Sequence, residues 1–98
     1  MSIDIATLTS ADFKPRLQDD FRLATPAGEI VMKLVEIRRL GHAMREGGAF
    51  SLMFLSPKGP FLPQAIYPLA HPALGTLELF LVPLGPTGDG NAYEAVFT

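Results

Sequence analysis

EIVMKLVEIRRL, residues 29 to 40, is the stretch whose reading decides the fold. Its length suits a helix, and Glu, Met, Lys, Leu and Arg all favour one. Against that stand four β-branched residues, Ile30, Val31, Val35 and Ile37, which lose side-chain freedom in a helix and pack well on a pleated surface. The segment also follows directly on a hairpin turn. A strand is therefore expected from Glu29 to Leu40, and the chain becomes all-β.

The turn itself is Thr25-Pro26-Ala27-Gly28, with proline at the second position where its fixed φ fits. It closes a hairpin whose first arm is DFRLAT, Asp20 to Thr25, with Phe21 and Leu23 on one face. Farther upstream, Thr9 or Ser10 can cap a helical turn, and Pro15 discourages helical geometry at Lys14. A short N-terminal lid anchored by Leu8 and Phe13 is expected there. Asp19 and Asp20 read as turn residues before the first strand.

Downstream, GHAMREGG from Gly41 reads as a loop, and AFSLMFLS as a strand. Phe50, Leu52 and Phe54 share one face of that strand and Met53 and Leu55 the other, so it should lie inside the sheet. After the proline-rich link PKGPFLP, Gln64 to Leu69 and Thr76 to Leu84 read as two antiparallel strands. Between them HPALG places Pro72 and Gly75 where a single helical turn begins and ends. His71 then occupies the cap position, where its ring accepts a backbone N–H or points to solvent, packing on Tyr67 or Leu74. GPTGDGNA reads as a turn-rich loop, and YEAVFT as a last strand with Tyr93, Ala95 and Phe97 inward. The expected architecture is a small six-stranded antiparallel barrel or two-layer sandwich with a short N-terminal helical turn. It forms one domain over residues 1–98, with 1–8 as a flexible N-terminal segment.

Composition narrows the function classes. The net charge is −2, and all eight Lys and Arg lie between Lys14 and Lys58, so neither nucleic acid nor an anionic membrane is an expected partner. The chain has no cysteine, which removes disulfides, thiol catalysis and thiolate metal sites. No apolar run approaches the roughly 18 residues of a membrane span, and no leader is recognisable, so a cytoplasmic location is expected.

Candidate chemistry is sparse. His42 and His71 with Glu46 lack the close ligand pairing that zinc requires, so no metal or other cofactor is expected. The serines fit no nucleophile elbow and the histidines no triad, so no catalytic residue is assigned. An enzyme working through His71 is the weakest of three functional readings. Arg38, Arg39, His42 and Arg45, next to the Gly47-Gly48 pair, would suit an anionic small molecule. The strongest signal is an excess of large apolar residues: Phe61, Leu62, Ile66, Phe80 and Val82 exceed what one small core needs. Either a closed barrel absorbs them all, or a protein partner or second copy covers them.

The order REGGAFSLMFLSP, LPQAIYPLAHPALGTLELFLVPLGP and YEAVF resembles a family of short, uncharacterised bacterial single-domain proteins, over about residues 12 to 98. The resemblance implies a context beside phage-tail-collar-type proteins, and no catalytic residues come with it. The first functional expectation is a non-enzymatic interaction or assembly module, an accessory of a tail-like or surface assembly. The alternative is a small barrel binding an anionic compound near Arg38, Arg39 and Arg45.

Overall fold

The computed structural model describes residues 8–26, 28–39, 49–57, 62–88 and 90–97. Six strands follow a short helical lid: α1 (Ser10–Phe13) and a 3-10 turn (Lys14–Arg16), then β1 (Asp20–Thr25), β2 (Gly28–Arg39), β3 (Phe50–Ser56), β4 (Ala65–His71), β5 (Gly75–Thr87) and β6 (Gly90–Phe97). Every pairing is antiparallel, and the order β1-β2-β3-β6-β5-β4 closes on itself into a barrel. Of the two expected architectures, the closed barrel is the one formed.

The deciding stretch is a strand, β2, with one irregularity. Ile30, Met32 and Leu34 take the inward phase, but a bulge between Leu34 and Glu36 adds Val35 and shifts the alternation by one. Ile37 therefore packs against the core opposite Leu52, although strict alternation would turn it outward. Ile30, Leu34 and Ile37 end up spaced as on one helix face. β3 is hydrogen-bonded on both sides, to β2 and β6, as its two apolar faces suggested.

The interior is filled by alternate residues of every strand, among them Phe21, Leu23, Met32, Leu34, Leu52, Phe54, Leu69, Leu77, Leu79, Leu81 and Tyr93. One end is plugged by the lid. Phe13 is fully buried, with its ring 5.8 Å from Phe50 and 5.6 Å from Phe97, and these two stack at 4.5 Å. Aromatic pairs at such spacing contribute about 0.5–1.5 kcal/mol each beyond their buried area. Thr9 is the N-cap, and its backbone N–H donates to the Asp12 carboxylate at 2.8 Å. Leu8, at the boundary of the segment expected to be flexible, is buried in the core cluster; residues 1–7 lie outside the described set.

Two boundaries differ from the sequence reading. GPTGDGNA is mostly strand: β5 runs to Thr87 and β6 starts at Gly90, so the hairpin loop is only residues 88–89. A bulge between Pro83 and Gly85, with Gly85 at φ +108°, carries the ladder on past Pro86, which read as loop punctuation. Gly90 is required for packing, since a methyl group there would run into the Ser56 carbonyl.

Candidate functional site

Two places on the barrel concentrate features that folding alone does not demand. The first is around His71, where the β4–β5 turn meets the entrance to β1. His71 ends β4, paired with Gly75, whose φ of +80° lets the three-residue loop Pro72–Leu74 close. Its ring is buried, with its centroid 4.7 Å from that of Phe21. Nδ1 accepts the backbone N–H of Ala73 at 3.0 Å and of Leu74 at 3.3 Å, although what it holds is a three-residue hairpin loop and not the helical turn expected from Pro72 and Gly75. An accepting Nδ1 carries no proton, so the hydrogen sits on Nε2, which donates to Asp19 Oδ2 at 2.8 Å.

Both ring nitrogens are therefore committed, and no lone pair is left to accept a substrate proton. The bond serves closure. β1 and β4 share a single ladder position, Arg22 with Ala70, and two residues along β4 stands Pro68, which has no N–H to continue it. Asp19 and Phe21 gripping His71 clasp this thin seam from its end. Asp19 was read as a turn residue; nothing in sequence links it to a histidine 52 positions away. Gln18, at φ +73°, donates its N–H to the Leu34 carbonyl at 2.7 Å, and this bend directs Asp19 to the clasp. The shallow hollow of about 380 Å³ beside it is lined by Arg16, Asp19, Asp20, Arg22, His71 and the following turn. Its two carboxylates balance its two guanidinium groups.

The second place is the outer face of β4, β5 and β6. Ile66 and Phe80 are directly opposite across β4–β5, and both are exposed, at 64% and 47%. Val96, exposed at 48%, lies one step beyond the Leu81–Ala95 pair and so continues the row on the far side of Phe80. Val82 stands beside it, half-buried and opposite Glu94. Sequence reasoning named Ile66, Phe80 and Val82 but missed Val96, which the inward set Tyr93, Ala95 and Phe97 already implied should face out. Leu62 does not belong to the face: its side chain packs on the core and its N–H donates to the Tyr93 hydroxyl at 3.0 Å. Phe61 lies outside the described residues.

Arg38 is exposed and paired with Glu36 at 2.9 Å, Arg39 is exposed at the end of β2, and His42 and Arg45 lie outside the described residues. Glu46, weighed with the histidines as a metal ligand and set aside, lies outside them too, and no cluster of three metal-ligating side chains exists among the described residues. No described helix is long and apolar enough to cross a membrane.

No curated protein and no solved structure matches the chain. One family does, over residues 8–97, which spans the lid and all six strands. The chain belongs to the family described as a domain of unknown function, DUF6916.

Proposed function

We propose that this barrel is a non-enzymatic interaction module that docks another protein surface through the outer face of β4, β5 and β6. The observation that carries this reading is the row itself. Among the described residues five large apolar side chains are exposed, and the strand register gathers three of them, Ile66, Phe80 and Val96, into one line across three strands. Apolar surface that is contiguous, rather than scattered, marks a contact site. A barrel scaffold keeps such a row rigid, so little conformational entropy is lost on docking. An accessory role in a bacterial tail-like or surface assembly, the context implied by the resemblance, is the setting we propose for it.

The test is affinity capture on the immobilised full chain from an extract of the source cells. Wild type is compared with the double variant Ile66→Ser/Phe80→Ser and with Ala24→Ser, an exposed change on β1. The reading predicts one protein retained by wild type and Ala24→Ser, lost from the double variant, and bound again when purified. A partner that stays with the double variant, or no reproducible partner at all, refutes it.

A further inference from the structure

We infer that the occupant of the β4–β5–β6 face is the β1–β2–β3 face of a second copy of this chain, so that copies join head to tail. This rests on the reading of the Ile66–Phe80–Val96 row as a docking face. Three features favour that occupant.

The first is shape. Strand order places β1, β2 and β3 on the side of the barrel away from β5. There a hollow of about 320 Å³ opens among Asp20, Val31, Lys33, Leu55, Ser56 and Pro57. That is the space of about ten water molecules, enough for a protruding phenyl ring and part of its neighbour. Val31, Leu55 and Pro57 give it apolar walls.

Charge is the second. The row is bracketed by Glu78, two residues before Phe80, and Glu94, two residues before Val96, and no ion pair among the described residues neutralises either. No Lys or Arg follows Lys58 in the chain. From the lid through β3, the ion pairs Arg22–Glu29 and Arg38–Glu36 cancel, which among the described residues leaves Lys14, Arg16, Lys33 and Arg39 against Asp12, Asp19 and Asp20, since the His71 that holds Asp19 is neutral. The excess there is 4 − 3 = +1, opposite in sign to the −2 of Glu78 and Glu94. Complementary faces attract and fix register.

Geometry is the third. A two-fold contact of the row with itself would gather Glu78 and Glu94 of both copies, four carboxylates, into one interface and leave the hollow empty. Head-to-tail contact covers row and hollow together. A standard interface takes about 800 Å² from each partner, and the chain exposes 5763 Å², so two such contacts fit on opposite sides at once. A heterologous contact of this kind does not stop at a dimer unless its rotation closes a ring.

Sedimentation velocity and light scattering across a concentration series test this. The inference predicts an average mass that rises past the dimer with concentration and falls with added salt. Phe80→Glu blocks the row and Val31→Glu the hollow, so each alone stays monomeric; mixed, the intact hollow of one takes the intact row of the other and a dimer appears. Lys33→Glu, an exposed change that spares the fold should Val31→Glu disturb it, weakens association by about tenfold, the order of an interfacial charge reversal. Three results would overturn the inference: a wild type that is monomeric throughout; a Val31→Glu or Lys33→Glu variant that associates as wild type does; or folded variants whose mixture stays monomeric. None of these touches the docking reading itself, which the capture experiment judges separately.

Discussion

Replacing His71 with alanine tests whether the barrel depends on its clasp. Three interactions disappear together. The Nε2–H bond to the Asp19 carboxylate involves a charged acceptor and contributes about 1.5 kcal/mol, the low end for such bonds because Asp19 is 39% exposed. The two backbone N–H bonds at Nδ1 act as a cap and contribute about 1 kcal/mol. The ring contact with Phe21 adds about 0.5–1.5 kcal/mol. The loss is therefore about 3–4 kcal/mol, a large part of the 5–15 kcal/mol usual for a domain. At about 4–8 °C per kcal/mol, the melting temperature falls by at least about 12 °C. Urea unfolding followed by circular dichroism measures it, with the slope checked for two-state behaviour. His71→Asn should recover the cap alone, since its amide oxygen can stand where Nδ1 stands. Asp19→Ala should be strongly non-additive with His71→Ala, because both delete one bond. A loss under about 1 kcal/mol for His71→Ala, or full additivity of the pair, would refute the clasp.

Three further outcomes are expected. Gly90→Ala should cost more than about 3 kcal/mol and lower the yield of folded protein, because the added methyl meets the Ser56 carbonyl at a backbone φ of +154°; an unchanged urea midpoint would contradict this. Native-state hydrogen exchange should show the backbone amide of Ala24 opening well before those of β3, since β1 and β4 share one ladder position while β3 is paired along its length on both sides; equal protection would argue for a tighter seam. The Tyr67 hydroxyl, which donates to the Pro63 carbonyl at 2.6 Å, is held above the ordinary phenol value of 10.0, first by burial and second by Tyr93 nearby. Its folded value is raised, so its contribution is complete below pH 10.0 and is lost as pH climbs through the folded value. Tyr67→Phe should therefore narrow the stability difference between pH 9 and pH 11 in urea titrations, and an identical difference in both proteins would exclude this role.

Much of the barrel was legible because alternation is a local property. Side chains on a strand change face at every residue, so Phe21 and Leu23, Phe50, Leu52 and Phe54, and Leu77, Leu79 and Leu81 announce their inward sides without reference to any partner. The same rule exposed Ile66 and Phe80 as outward residues. Turn chemistry at Pro26 and Gly28, and at Pro72 and Gly75, was also local and placed two hairpins. The lid followed from a capping residue and two apolar anchors, Leu8 and Phe13.

What local patterns could not contain was decided by strand pairing. The bulges at Val35 and Leu84 are defined by a partner strand, since an extra residue exists only relative to a ladder. The second is why β5 seemed to stop early. The row Ile66–Phe80–Val96 needs three strands in register, and only the register brings its members together. The partnership of Asp19 with His71 needs the barrel to close, because closure sets residues 52 apart within hydrogen-bonding distance. Taken alone, the sequence determined the all-β class, the inward faces of most strands and the turn position of His71, through interactions within a few residues. Only the tertiary structure decided barrel over sandwich, the tautomer of His71 and the existence of an apolar row, because each depends on which distant strands share hydrogen bonds.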